Sequence, residues 1–179
     1  MLMPILIAIA VIIVVLVIIV ATRPNEFRVT RSAKMAAPPE KIFPHVNDMH
    51  KWEAWSPWAK LDPNAKNSFE GAPSGSGAVM KWEGNCKVGV GCMTITESKP
   101  GELIRFRLDF EKPMKATNTA EFTFKPEGNQ TVVTWSMAGT NNFVGKFFGL
   151  IMGCDKMIGG QFEKGLAAIK SVVEAAGKN

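Results

Sequence analysis

The chain has 179 residues, a length that accommodates one domain and an appendage. Its 21 lysines and arginines and 16 aspartates and glutamates give a net charge of +5, and these charges are interspersed along the sequence. A nucleic-acid-binding protein typically carries a basic stripe with interleaved aromatic residues, so this composition argues against nucleic acid as a partner.

The first 21 residues contain no charged side chain. A helix of about 20 apolar residues is long enough to cross the hydrocarbon core of a bilayer. A cleaved signal peptide is the alternative, but it would have a basic segment before a shorter apolar run. The segment therefore favours an uncleaved, single-pass transmembrane anchor over residues 1–22, followed by a linker over residues 23–26.

Cations cluster just after the apolar segment: Arg23, Arg28, Arg31 and Lys34 against the single carboxylate of Glu26. Lysine and arginine are enriched on the cytoplasmic flank of membrane spans. We therefore expect the protein in the cell membrane, with its domain facing the cytoplasm.

The segment from Phe27 to Met35 alternates apolar and polar residues, which predicts a half-buried strand. Arg31 falls on its apolar face, and burying an unpaired guanidinium would be strongly unfavourable. Arg31 is thus a candidate polar anchor for a ligand carboxylate, which arginine can bind through two hydrogen bonds. A bulge that turns it to solvent, or an ion pair with an Asp or Glu, is the favoured alternative.

Two short helices are predicted next. Pro38 and Pro39 begin the first, over PPEKIFPHV, since proline suits the first turn of a helix. The second lies around residues 49–55 and should end before Pro57, because the residue before proline avoids the helical region. Trp52 and Trp55 then share a face. We expect Trp55 in the core, and Trp52 or Trp58 at a pocket rim or on a membrane-facing surface.

Five further segments alternate apolar and polar residues: GAVMKWEGN, GCMTITES, ELIRFRLDFEKP, ATNTAEFTFKP and TVVTWSMAG. One apolar and one charged face predict an antiparallel sheet with one side in water. From Phe147 to Val173 the apolar residues recur every three or four positions, which predicts one long amphipathic helix.

Glycines are unusually dense in and before this helix, at Gly145, Gly149 and Gly153 and again further along. Each costs up to about 1 kcal/mol relative to alanine in a helix, so the density needs a reason. Close packing on the sheet is the leading explanation. A loosely held lid over a cavity, or an interfacial segment of residues 141–153 lying on the membrane, are the alternatives.

The order strand, two short helices, further strands and a long helix predicts an α+β domain over residues 27–176. A curved sheet of six to seven strands would surround the C-terminal helix and leave concave space, where ligands usually bind. The inward-facing candidates for lining this cavity are Trp55, Met80, Trp82, Met93, Phe106, Leu108, Phe122, Trp135, Met137, Ile151, Ile158 and Phe162. Their apolar character favours binding over chemistry.

Residue types that carry catalysis or bind metals are sparse. His45 and His50 fall on the short helices, and Cys86, Cys92 and Cys154 form neither a C-x-x-C motif nor a disulfide framework. Pairing of Cys86 with Cys92 across a hairpin, in an oxidising compartment, is the alternative to the favoured free thiols. We assign no catalytic residue, no metal site and no cofactor.

The motifs SAKMAAPPEKIFPHVND, WEAWSPWAKLDP, GSGAVMKWEGN and FEKGLAAIKSVVE, in this order of elements, resemble the START-like (SRPBCC) superfamily and specifically its polyketide cyclase/dehydrase group. The resemblance covers residues 26–176. It implies a helix-grip fold with a deep apolar cavity between sheet and C-terminal helix, which holds lipids, sterols, polyketides or other hydrophobic ligands. No catalytic set is shared across the superfamily.

Together these features predict membrane-anchored binding of a hydrophobic small molecule or lipid, as a carrier, a sensor or a stabilising module. An enzyme of cyclase, dehydrase or hydrolase type is the first alternative. An interaction scaffold with a filled core and no ligand is the second, because large side chains such as Trp82 and Trp135 point inward. The sequence favours no particular oligomeric state.

Overall fold

The computed structural model describes residues 2–176, apart from the side chains of Leu2, Phe148, Ile151, Met152 and Cys154. The helices are α1 Leu2–Thr22, α2 Pro39–Asn47, α3 Pro57–Leu61, α4 Phe143–Met152 and α5 Cys154–Ala176, with a 3₁₀ helix at Met49–Ala54. The strands are β1 Glu26–Met35, β2 Lys66–Gly71, β3 Ala78–Glu83, β4 Val90–Lys99, β5 Leu103–Lys112, β6 Ala116–Glu127 and β7 Gln130–Thr140.

The strands form one antiparallel sheet in the order β1-β7-β6-β5-β4-β3-β2. α5 packs on β1 and β7, and α2, the 3₁₀ helix and α3 lie between the first two strands in sequence. The inner face of the sheet, these short helices and the apolar stripe of α5 share one hydrophobic core. This arrangement confirms the predicted α+β helix-grip fold.

The seventh strand, β2, was not one of the segments identified by alternation. All six of its residues are exposed, and its only large apolar side chain is Phe69. It pairs with β3 alone, at the edge of the sheet. An edge strand with no buried face has no period-2 pattern of apolar residues, so the pattern could not reveal it.

The C-terminal segment forms two helices, and the prediction of one continuous helix from Phe147 to Val173 is wrong in this respect. Gly153 has φ +66° and ends α4 in the left-handed conformation. Glycine adopts this conformation without steric cost, which is why it commonly follows the last residue of a helix. α4 packs on α1 and α5.

Pro57 begins a helix as well as ending the preceding segment. Ser56 is extended, as expected before proline, and Pro57 occupies the first turn of α3. Residues three apart in a 3₁₀ helix are nearly eclipsed, and the ring of Trp52 lies 4.7 Å from that of Trp55, which directly follows the helix. Trp52 is buried, so a role at a pocket rim or membrane surface is wrong for it; Trp58 is half-buried.

α1 is long and apolar enough over residues 3–22 to cross a membrane, a property that an N-terminal signal sequence shares. Large apolar side chains are exposed along most of its length. Val20, in its last turn, is buried at 1 % exposure, and Leu16 is half-buried. Three residues, 23–25, join α1 to β1.

Candidate functional site

The structure divides the predicted cavity-lining residues into two groups. Seven are buried in the core, and these are Trp55, Met93, Phe106, Phe122, Trp135, Met137 and Phe162. Four are partly buried and pack against the core, and these are Met80, Trp82, Leu108 and Ile158. The side chain of Ile151 lies outside the described part of the chain.

Aromatic side chains fill the centre of the space between sheet and α5. Trp135 stacks on Phe162 at a centroid distance of 4.1 Å and on Phe122 at 4.5 Å. The indole N–H groups of Trp52 and Trp55 donate hydrogen bonds of 2.9 Å to the carbonyls of Val46 and His45. The middle of the predicted cavity is therefore occupied by the protein's own side chains.

Gly165 makes this packing of Trp135 against α5 feasible. A Cβ atom at this position would lie 2.7 Å from Cζ3 of Trp135 and 3.2 Å from Cδ of Pro57. Real Cβ atoms do not approach so closely, so any larger residue would push α5 away from the sheet. One of the glycines in α5 thus has a packing role.

Two neighbouring rows of inward-facing residues, each running across the strands of the sheet, differ in how deeply they are buried. The residues Val29, Met137, Ala120, Phe106 and Ile95 lie side by side on five strands, and all are buried. The next row towards the start of β1, here called the mouth row, consists of Phe27, Gly139, Asn118, Leu108, Met93 and Met80. Four of its six members are only half-buried. The inner face of the sheet therefore opens at this end, which is also the end that α1 joins.

Asn118 is the one polar side chain in the mouth row, and sequence analysis missed it. It is 9 % exposed, and its side-chain Oδ1 has no hydrogen-bond partner within the part of the chain that the structure describes. The amide lies over Gly139, where a Cβ atom would overlap it. The sequence does indicate this residue, because Asn118 is the polar member of the inward-facing series of β6 that includes Ala116, Ala120 and Phe122.

An unpaired buried amide costs about 1–3 kcal/mol, so Asn118 weakens the fold unless something else offers it a partner. An asparagine side chain both donates and accepts hydrogen bonds. An apolar surface with a single convergent polar group is typical of small-molecule sites. The mouth row has this composition and contains no titratable side chain.

Arg31 is paired within the protein. Its Nη2 lies 2.8 Å from Oδ2 of Asp155, and its Nε lies 2.7 Å from Oε1 of Glu163, so it joins β1 to α5. The hydrogen bonds that Arg31 donates to these carboxylates raise its pKa, and Arg31 in turn lowers the pKa of Asp155. The ion-pair alternative is thus the one observed.

The remaining candidates lie away from the mouth row. His50 contacts Asp48 and stacks on Phe69, and burial, together with the charge of Lys51, lowers the pKa of His45. Cys86 and Cys92 are free thiols. No group of three His, Cys, Asp or Glu side chains among the described residues is arranged to hold a metal ion.

Open concave regions of the surface lie beside two hairpins. One of about 610 Å³ lies at the hairpin between β5 and β6, and its lining includes Asp109, Phe110 and Thr117. The other, of about 450 Å³, lies between the start of α2 and the hairpin that joins β6 to β7. The first is at the same end of the sheet as the mouth row, since β5 ends and β6 begins there. Neither lies between the sheet and the middle of α5.

Known structures share the fold at low sequence identity. Protein CV1439 of Chromobacterium violaceum has a TM-score of 0.59 at 17 % identity, covering 85 % of this chain and 99 % of its own. Ms6760 of Mycobacterium smegmatis has a TM-score of 0.58 at 18 % identity, covering 83 % and 92 %. Aha1 of Colwellia psychrerythraea, solved as a dimer, has a TM-score of 0.56 at 15 % identity, covering 80 % and 96 %.

No curated protein matches this chain. Residues 26–174, which span nearly the whole of the region after α1, match the family described as polyketide cyclase/dehydrase and lipid transport. That description agrees with an inner sheet face made of apolar side chains and associates the family with hydrophobic ligands. The chain therefore belongs to the polyketide cyclase/dehydrase and lipid transport family.

Proposed function

We propose that this protein is anchored in a membrane by α1 and binds a hydrophobic small molecule or lipid at the mouth row, as a carrier, a sensor or a stabilising module. One observation carries this proposal. Burial falls at the mouth row, where an apolar surface surrounds an amide oxygen that has no hydrogen-bond partner among the described residues. The family's description supports the class of ligand.

The filled centre defines how deep the ligand reaches. Trp135, Phe122 and Phe162 occupy the middle of the fold, and Phe106 is completely buried beside them. The ligand would therefore rest against Leu108 and its neighbours. It does not insert along the length of α5.

The ligand should combine an apolar body with one hydrogen-bonding group. The body would cover half-buried side chains such as Met80, Leu108 and Phe27, and each buried CH₂ group contributes about 0.8 kcal/mol. A hydroxyl, carbonyl or amide group would satisfy Asn118. A pure hydrocarbon would leave this amide unpaired and should bind more weakly.

An enzyme is the less favoured alternative. Acid–base catalysis needs a titratable group within reach of the ligand, typically with a shifted pKa. Asp109 has a lowered pKa because Thr117 and Arg107 donate hydrogen bonds to it, but its ion-pair partner Arg107 is exposed, on the solvent side of β5. Binding without chemistry accounts for the site more simply.

The charges next to α1 indicate on which side of the membrane the domain lies. Arg23 and Arg28 are exposed directly after the span, and such cations favour the cytoplasmic side. With α1 in the bilayer, the domain therefore lies on the cytoplasmic face of the cell membrane. The same cations suit anionic lipid headgroups.

Native mass spectrometry tests the binding proposal. The full chain would be released from nanodiscs of its host's lipid extract, and we expect a retained apolar ligand as an added mass. Leu108→Glu introduces a charge in the mouth row and should abolish the added mass. Thr119→Glu, on the exposed outer face of β6, is the matched control and should keep it.

Two results would contradict the proposal. If Leu108→Glu folds and retains the ligand as the wild type does, the ligand binds elsewhere. If the wild type shows only the apo mass after exposure to the lipid extract, the filled aromatic core favours the interaction scaffold.

A further inference from the structure

α4 lies against the last turn of the transmembrane segment. The two helices are in contact, and Val20 is buried at 1 % exposure although the large apolar residues on α1 before it are mostly exposed. Nζ of Lys146 lies 3.4 Å from the carbonyl oxygen of Ala21, to which it donates a hydrogen bond. These contacts fix α4 at the level at which α1 ends.

The surface next to this contact is apolar. Outside α1, the exposed large apolar side chains of the described residues are Phe69, Met114, Phe143, Val144 and Met157. Phe143 and Val144 are in the first turn of α4, and Met157 is in the first turn of α5. Met114 is in the hairpin between β5 and β6, which is also at the end of the sheet that α1 joins. Phe143 and Val144 are thus on the helix that contacts α1.

Water does not favour neighbouring exposed side chains as large and apolar as Phe143 and Val144, whereas a bilayer interface does. A helix that spans about 30 Å of hydrocarbon ends at the boundary with the headgroups. Since α4 contacts the last turn of α1, its exposed side chains are held at this boundary. The exposed basic residue Arg23 is next to the same turn and would lie among the headgroups.

We propose that α4 is a second membrane contact, seated through Phe143 and Val144 in the interface of the leaflet from which α1 emerges. This contact holds the domain in one orientation, with the open end of the sheet towards the bilayer. The consequence for the ligand rests on the proposed function: a hydrophobic molecule would pass between membrane and mouth row without crossing water. The seating of α4 does not depend on any ligand, but it rests on the membrane anchoring by α1 that the proposed function includes.

Spin labels on the full chain test this placement. Cys86, Cys92 and Cys154 would first be replaced by serine, and a single cysteine then introduced as Val144→Cys or Met157→Cys. Thr119→Cys, exposed on the outer face of β6, is the control. In nanodiscs of phosphatidylcholine with phosphatidylglycerol, collision rates with oxygen and with a water-soluble nickel chelate report the depth of each label.

We expect the oxygen-to-nickel collision ratio at positions 144 and 157 to exceed that at position 119 several-fold. A ratio at both positions equal to that at 119 would place α4 in water and overturn the proposal. Labels protected from both reagents would identify a protein partner or a second copy on this surface, which also overturns it. Ligand binding can be measured on the same samples, so failure of one proposal is distinguishable from failure of the other.

Discussion

The guanidinium of Arg31 occupies the space that a side chain at Gly159 would need. A Cβ atom at Gly159 would overlap the guanidinium, 2.8 Å from Nε, while Nη2 of Arg31 lies 2.8 Å from Oδ2 of Asp155. Glycine in the helix therefore lets an arginine on the inner face of β1 reach two carboxylates on α5. The strand and helix are joined by a charge that would otherwise be difficult to bury.

Gly159 and the adjacent Gly160 provide a matched pair of substitutions. Gly160→Ala meets no atom within 4 Å and should raise the free energy of unfolding by up to about 1 kcal/mol, since alanine is the better helix former. Gly159→Ala should lose this gain, because Arg31 must leave Asp155. Thermal unfolding of both variants, followed by tryptophan fluorescence, measures the difference. Equal stabilisation by the two alanines would show that Arg31 does not constrain the helix.

The ion pair of Arg31 and Asp155 makes stability depend on acidity. Arg31 lowers the pKa of Asp155 in the folded protein, so the stabilisation is present above the unfolded pKa of about 4 and is lost as the pH falls through the folded value. Asp155→Asn should unfold at a lower temperature than the wild type near neutral pH, by a modest amount because Asp155 is exposed. The two melting temperatures should converge below about pH 4. A difference that persists in acid would point to another cause.

We expect Asn118 to lower the stability of the ligand-free protein and to strengthen ligand binding. Asn118→Leu replaces an amide whose Oδ1 has no partner among the described residues with an apolar group of similar shape, and it should stabilise the ligand-free protein by about 1–3 kcal/mol. The same variant should bind a hydroxyl-bearing amphiphile more weakly than the wild type does. Chemical denaturation and native mass spectrometry measure the two effects. Thr119→Leu, on the outer face, is the control and should change both stability and binding by less. A loss of stability in Asn118→Leu would mean that the amide has a partner.

Phe106 and Leu108 lie two residues apart on β5, with Phe106 in the buried core and Leu108 in the mouth row. Phe106→Ala removes a fully buried ring and should cost about 3–5 kcal/mol of stability. Leu108→Ala removes a half-buried side chain and should cost less than about 2 kcal/mol, because part of its surface already contacts water. Ligand retention should fall in Leu108→Ala. If both variants lost stability equally, the inner face would be closed along its whole length.

Cys86 provides a test of orientation, because its free thiol is exposed in the turn between β3 and β4. With the domain in the cytoplasm, a membrane-impermeant maleimide should label it only after cells are permeabilised. Cys86→Ser should remove most of this labelling and serves as the control. Labelling of intact cells would contradict the proposed topology.

The order of elements was predictable because each buried strand alternates with period 2 and α5 has a helical period. Periodicity arises from a buried face, so it could not detect β2, which has none. It also could not detect the break at Gly153, since apolar residues continue on both sides of it. The break arises from the left-handed backbone conformation of Gly153, and the presence of a glycine in a sequence does not by itself imply that conformation.

The candidate site was harder to predict than the fold. Alternation identified which side chains face inward, but it could not distinguish Phe106, in a closed part of the interior, from Leu108, where the interior opens. That difference depends on which helix covers each row of the sheet. Similarly, the partners of Arg31 are more than 120 residues away in sequence, and only the packing of α5 brings them together.

The three residues between α1 and β1 restrict how a carrier of this kind could work. Fully extended, such a segment reaches roughly 10 Å, which is much shorter than the diameter of the domain. With α1 in the bilayer, the domain cannot shuttle its cargo to a distant acceptor, as a freely diffusing transfer protein does. It would have to transfer the molecule locally, either to its own membrane or to a protein that binds to it there.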